Sequence, residues 1–350
     1  MPIPNTHRFI SLTDQEPLTG PERERALQMA DLCENFMKHR EERLAQLGVD
    51  PAIWLPAANW GGTELTPVYN AALSLMRGEN LAYLRLLAQH FTGYALWGLK
   101  DGRGTVPPSD PGALNESLLE RSAQPDQGAI ARCNQIRGEI PAYLHISPPA
   151  KFGEVGWVVD DVLVNYDTAA YWERVAVLYR AGLLDRSAVN CLRPGSRVLE
   201  IGAGYGALAW YIQEAAPGIR YTVLDLPESL VYSAVYLEVL HPGATRFLPN
   251  YEFPELVQSG ERFDLVINTL SMSEMSEPQV RSYCDGIRLL VGDWGCFFEQ
   301  NQDNRHAGFL NAQDIVQEFF SRRQVLGAPH TERHLNQGIA SIWSNSGSAR

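Results

Sequence analysis

The sequence predicts an α/β protein, with a doubly wound parallel sheet in the C-terminal half behind a mainly helical N-terminal region. Three observations predict it. After residue 190, short apolar runs alternate with helical stretches, the pattern of strands joined by crossover helices. Before it, apolar residues recur at helical spacing over 21–47 and 65–99. Between the two lies GEVGWVVDDVLVN (153–165), where two β-rich runs flank Asp160-Asp161 and read as a hairpin.

Taken in order, Pro21 suits a first helical turn, Gly78 divides the second helical stretch, and DGRGTVPPSDPG (101–112) is a loop. A further helix is expected within 112–136. The stretch 166–184 is an amphipathic helix with Thr168 or Asp167 as its expected N-cap. Strands are expected at 196–202, 221–226, 245–249, 263–270 and 294–300, then at 323–328 and 338–345 as a closing hairpin. Helices fit at 206–216, 228–240, 277–291 and 311–321. This divides the chain into a helical region (1–145), a hairpin and linker helix (146–190) and a sheet domain (191–350).

Composition narrows the function. At 350 residues, 45% hydrophobic and 20% charged, the chain suits a soluble protein of two domains. No apolar run is long enough for a membrane helix, and the first residues lack a cationic and apolar leader pattern, so a cytoplasmic location is expected. A net charge of −12 argues against binding duplex nucleic acid. The five cysteines are irregularly spaced and form no CxxC, so neither a disulfide framework nor a zinc site is expected.

The sharpest signal is RVLEIGAGYGALA (197–209), a buried strand running through Gly202, Gly204 and Gly206 into a helix. Such a turn lets backbone approach a ligand closely, and the helix N-terminus offers free N–H groups. Asp225 ends the next strand, 23 residues after Gly202, where a carboxylate can take both hydroxyls of a ribose. Gly202, Gly204 and Ala207 also satisfy the looser dinucleotide fingerprint, so the glycines alone do not choose between a dinucleotide and S-adenosylmethionine. Glu200 tips the balance. Two residues before the turn, it would oppose dinucleotide phosphates but suits a ligand bearing an ammonium and a sulfonium.

EIGAGYGALA, TVLDLPESLVYSAVYL and FDLVINTLSMSEM, in this order, resemble a class I S-adenosylmethionine-dependent methyltransferase. LDLPE (224–228), INTLSMSEM (267–275) and the 153–165 segment resemble, more narrowly, the sugar O-methyltransferase family, over about residues 150–345. The resemblance implies a seven-stranded, doubly wound Rossmann-like sheet and S-adenosylmethionine as cofactor, converted to S-adenosylhomocysteine. It implies that Glu200, Gly202, Ala203, Gly204 and Gly206 line the amino-acid end of that cofactor. Asp225 would hold the ribose, Leu226 would lie against the adenine, and Asn250 and Tyr251 would stand at the adenine edge. Asn268, Thr269 and Ser271 would follow the fourth strand beside the transferred methyl.

Methyl transfer to a hydroxyl is an in-line displacement helped by a general base. The candidate bases are Glu274, which could instead cap the helix near Glu277, and His306 in the polar loop after strand five, with His330 and His334 as weaker choices. Ser271, Glu299, Tyr166, Tyr171 and Arg174 are candidate acceptor contacts. Glu274, Glu299 and Asp303 could supply oxygen ligands, but their spacing matches no metal motif, and no metal is expected. Asn268-Thr269-Leu270-Ser271 lacks the Asn-Pro-Pro-aromatic segment of nucleic-acid amine methyltransferases.

The expected partner is therefore a small-molecule acceptor, a sugar or glycosylated metabolite, with neither nucleic acid nor membrane. The helical region is expected to serve substrate capture, oligomerisation or both. Its aromatics Tyr69, Tyr83, Phe91, Tyr94 and Trp97 suit core packing, whereas Trp54, Trp60 and the 55–62 loop suit contact with a ligand. The alternatives are carbon or nitrogen methylation of a natural product, a nicotinamide-dependent oxidoreductase, and a non-catalytic scaffold.

Overall fold

The computed structural model describes residues 8–56, 66–92, 127–326 and 338–345. Two sheets organise them. The first is small and antiparallel: β1 (Arg8–Ile10), β2 (Gly156–Val159) and β3 (Val162–Val164), in that order. Asp160 and Asp161 both take positive φ (47° and 64°), the two-residue hairpin turn their short polar side chains tolerate. The pairing of Ile10 with Gly156 brings the chain start onto this hairpin, a contact no local pattern announced.

The helical region contributes α1 (Gly20–Lys38), α2 (Arg40–Leu47), α3 (Pro51–Trp54), α4 (Thr66–Met76), α5 (Leu84–Thr92) and α6 (Gln127–Arg137). The periodicity over 21–47 suggests one helix, but the chain breaks at His39. The break redirects α2 so that Arg40 meets Glu228 at 2.5 Å and Arg43 meets Glu252 at 2.7 Å. The linker helix is α7 (Tyr166–Arg180). Its N-cap is Asn165, not Thr168 or Asp167. Asn165 Oδ1 accepts the Thr168 N–H at 2.9 Å, and its Nδ2 donates to Val155 O at 2.9 Å. Asp167 is committed elsewhere, to Arg85.

The large sheet is built from β4 (Arg197–Ile201), β5 (Arg220–Asp225), β6 (Thr245–Pro249), β7 (Leu265–Thr269), β8 (Cys296–Gln300), β9 (Arg322–Val325) and β10 (Ser341–Ser344). Its order is β6-β5-β4-β7-β8-β10-β9, parallel except for β10, which runs antiparallel to both neighbours. The connections are α8 (Ala207–Ala215), α9 (Pro227–Leu240), α10 (Phe253–Gln258), α11 (Glu277–Val291) and α12 (Ala312–Phe319). Strand pleating sorts the core into two layers. Val198, Val223, Leu265 and Ile267 face α8 and α9, while Leu199, Ile201, Val266 and Phe297 face α11 and α12. Helix α9 is apolar nearly all round because it lies between the sheet and α1. The chain winds from β4 towards β6, then returns to β7. This puts the switch of direction, where open α/β sheets bind ligands, above the carboxyl ends of β4 and β7.

Candidate functional site

The turn after β4 is forced by a close approach. Gly202 has φ 76°, and a Cβ there would lie 2.3 Å from Ser271 Oγ. Its N–H donates to Leu224 O at 2.9 Å, tying the turn to β5. Above it opens a cavity of about 1050 Å³, in part continuous with solvent. Glu200, Gly202, Ala203, Gly204, Asp225, Leu226, Asn250 and Thr269 line it, as do Tyr171, Arg174, Ser271 and Glu274. The topology therefore brings together most of the residues the sequence singled out.

Two acids in the wall, Glu200 and Asp225, are nearly inaccessible to solvent. Glu200 accepts the Tyr221 hydroxyl at 2.8 Å, and burial pushes its carboxyl up to about 7. Asp225 Oδ1 accepts the Leu226 N–H at 2.8 Å, and burial likewise pushes this carboxyl up to about 7. Its Oδ2 is buried with no hydrogen-bond partner among the described residues. Asn250 repeats the pattern. Its Nδ2 donates to the Trp54 carbonyl at 2.7 Å, and its Oδ1 is buried without a partner. A carbonyl can only accept, so Trp54 fixes which face of the amide the cavity receives.

Several predicted residues lie elsewhere. Gly206 (φ 91°) faces α9: a Cβ there would stand 3.1 Å from Leu237 Cγ and 3.2 Å from Ser233 Cα, so this glycine serves helix packing. Tyr251 turns into the core, its hydroxyl donating to Phe36 O at 2.9 Å. Asn268 is fully buried and braces the site from behind. Its Nδ2 donates to Ile201 O at 2.8 Å, and its Oδ1 accepts from Asn301 Nδ2 at 3.0 Å. Glu299 is carried by the pleat of β8 to the α12 face, where Asn301 and Gln313 donate to it at 2.8 and 2.9 Å. His306 stands exposed on a surface turn that folds back on itself, with Phe309 N–H bonded to Asn304 O at 3.1 Å. It does not line the cavity, and neither do Glu299 and Asp303.

Glu274 sits on the single turn Met272–Glu274. The helix cap it could have served belongs to Ser276, whose N–H donates to Gln279 Oε1 at 2.9 Å. Trp54 is buried against Phe253 and Tyr283, at ring separations of 5.8 and 5.3 Å, so packing explains it. The loop beyond it does reach the cavity, at Pro56. Tyr166 opens α7, and its side chain lies outside the described residues, as does that of Phe91. Trp60, Tyr94, Trp97, His330 and His334 also lie outside the described residues.

Ser229, Met275, Gln279 and Tyr283, none of them singled out by the sequence motifs, complete the wall from the starts of α9 and α11. Ser229, four residues past Asp225 in the first turn of a helix, was the one with a local signal. Gln279 was not legible: its Nε2 holds the carbonyls of Ile53 and Leu55, each at 3.0 Å, from a segment more than two hundred residues away. Among the described residues, no group of three or more His, Cys, Asp or Glu could hold a metal ion, and no helix is long and apolar enough to cross a membrane.

No protein-family model matches the chain, and no curated protein matches it in sequence. Solved structures with a similar layered α/β form include PigF with S-adenosylhomocysteine (15% identity, 51% of this chain and 58% of that one, TM-score 0.34). Another is the N-methyltransferase NodS from Bradyrhizobium japonicum in complex with S-adenosylhomocysteine (14% identity, 63% and 100% covered, TM-score 0.37). A third is an O-methyltransferase family protein from Burkholderia thailandensis (14% identity, 53% and 62% covered, TM-score 0.37). At these values the likenesses carry no argument of their own, and each name belongs to its own protein.

Proposed function

We propose that this chain is an S-adenosylmethionine-dependent methyltransferase acting on a small molecule. The observation that carries the proposal is Asp225 at the end of β5, its buried Oδ2 without a partner across from the Gly202 turn at the switch point. A ribose hydroxyl can donate to this oxygen, which the described residues leave without a partner. Asn250 Oδ1 is an acceptor suited to the 6-amino group of adenine. Gly202 leaves room where a side chain would close the floor.

A dinucleotide fits less well. Its pyrophosphate would meet buried Glu200 beside the same turn. The antiparallel β10 inserted between β8 and β9 also departs from the 3-2-1-4-5-6 order of dinucleotide folds.

When bound, S-adenosylmethionine supplies a methyl group on a positively charged sulfur. The acceptor we favour is a hydroxyl of a sugar or glycosylated metabolite. The new bond joins the hydroxyl oxygen to the methyl carbon, the carbon–sulfur bond breaks, and its electron pair stays on sulfur. Glu274 takes the hydroxyl proton, and Thr269 and Ser271 position the acceptor near the end of β7.

The test is calorimetric titration with S-adenosylhomocysteine, beside NAD(H), on the wild type and Asp225→Ala. Binding of S-adenosylhomocysteine that is lost in the variant supports the proposal. Binding of NAD(H) alone overturns it. The acceptor class is tested by labelled methyl transfer to a panel of sugars and glycosides. There, Glu274→Gln is expected to lower kcat by about 10²- to 10⁴-fold while leaving S-adenosylhomocysteine affinity intact. Full activity in that variant would favour carbon or nitrogen methylation.

A further inference from the structure

Glu274 owes its place to a turn that the protein holds from behind. Leu270, which lines the cavity, has φ 66°, left-handed backbone that a bulky side chain rarely adopts. The reversal after β7 is therefore strained, and such a conformation persists only where its surroundings over-determine it.

Those surroundings come from the end of β8 and the loop after it. Gln300 O accepts the Leu270 N–H at 2.8 Å, and Asn304 Nδ2 donates to Ser273 O at 3.3 Å. Between them in the chain stands Asn301, almost wholly buried and not part of the cavity lining. Its Oδ1 accepts the Ser273 N–H at 3.1 Å, and its Nδ2 donates to Asn268 Oδ1 at 3.0 Å and to Glu299 Oε1 at 2.8 Å. Asn268 in turn accepts the Met272 N–H at 3.2 Å and donates to Ile201 O at 2.8 Å. Two consecutive N–H groups of the Met272–Glu274 turn thus end on two buried amides. Each amide is oriented by a backbone N–H, which can only donate, and both polar atoms of each are partnered. Buried Glu299, which takes no part in the proposed methyl transfer, anchors the far end, with Gln313 Nε2 donating to it at 2.9 Å.

Resting on the methyltransferase reading, we propose that Asn301, anchored by Glu299, is a positioning residue: through Asn268 and the Ser273 N–H it fixes the Met272–Glu274 turn, so that the Glu274 carboxylate meets the place of methyl transfer. The loop after β8 then serves the reaction without touching either reactant.

The test compares S-adenosylhomocysteine with sinefungin, which carries an amine where S-adenosylmethionine carries its methyl group. The pair therefore reads the place of Glu274 without any acceptor. In calorimetric titration the wild type is expected to bind sinefungin about tenfold more tightly, through a charge-assisted hydrogen bond that Glu274→Gln loses. Asn301→Ala is expected to lose the same preference while S-adenosylhomocysteine affinity stays unchanged, which also reports that the fold is intact. Equal losses for both ligands would make Asn301 a packing residue and overturn the inference. A preference that survives in Asn301→Ala or in Glu274→Gln would also overturn it, as would a wild type that binds the two ligands equally. If Asn301→Ala does not fold, Asn301→Ser carries the same comparison: its single short hydroxyl cannot make all three bonds, and the same selective loss is expected. A wild-type protein that binds neither ligand would sink the methyltransferase reading itself.

Discussion

A buried oxygen without a partner costs about 1–3 kcal/mol, and Asp225 Oδ2 and Asn250 Oδ1 both stand in the wall of one cavity. Such atoms discriminate strongly, because a ligand that cannot donate to them leaves them unmet. Asn250 is the cleaner probe, since Trp54 O fixes its amide. S-adenosylhomocysteine is expected to bind at least about tenfold more tightly than its inosine analogue, which has an oxo group at the 6-position. Asn250→Ala is expected to abolish that preference. Equal affinities of the wild type for the two ligands, measured calorimetrically, would remove Asn250 from base recognition.

At the scale of elements, the glycine turn serves two purposes at once. Gly202 makes room for Ser271 at the cavity floor, while Gly206 lets α8 approach α9. Gly206→Ala combines a φ of 91° with contacts of 3.1 and 3.2 Å to α9, one of them to backbone. It is expected to cost about 1–3 kcal/mol, read as a lowered denaturant midpoint, with ligand affinity of the folded fraction little changed. A stability equal to wild type would show that α9 yields easily. The linker helix depends in the same way on Asn165, which caps α7 and holds Val155 and Glu154. Asn165→Ala is expected to destabilise by about 2 kcal/mol or more, because it removes a cap and leaves buried groups unmet.

Across the whole molecule, Arg85 ties the helical region to the site. It is wholly buried, donates to Glu154 at 2.7 Å, pairs with Asp167 on α7 and lies 4.3 Å over the ring of Tyr205 within the glycine turn. Arg85→Met strands two buried carboxylates and is expected to cost about 3–5 kcal/mol in chemical denaturation. Buried acids also set a pH dependence. Glu200, Asp225 and Glu299 are each raised to about 7 by burial. A raised carboxyl contributes stability that is complete below its ordinary value near 4 and is lost as pH rises through about 7. The ligand-free protein is therefore expected to melt at lower temperature at about pH 8 than at about pH 5. Affinity for S-adenosylhomocysteine is expected to rise over the same range, as Glu200 and Asp225 ionise. A melting temperature that climbs with pH would show that these acids are ionised already.

The alternation of strands and helices after residue 190, the glycine turn and the acid closing β5 were all legible in the sequence, because each depends on neighbours within a few residues. Apolar period, turn chemistry and helix capping act locally, so RVLEIGAGYGALA announced its strand, turn and helix. Other features depended on contacts far apart in the chain. The pleat of β8 took Glu299 to the α12 face, a folded-back loop carried His306 to the surface, and the core claimed the ring of Tyr251. The break at His39 let α2 and α3 reach Glu228, Glu252, Asn250 and Gln279. Only the tertiary structure decided which of the chemically suitable side chains share one cavity. Periodicity says which face of an element is buried, whereas the packing of elements on one another decides what that face meets.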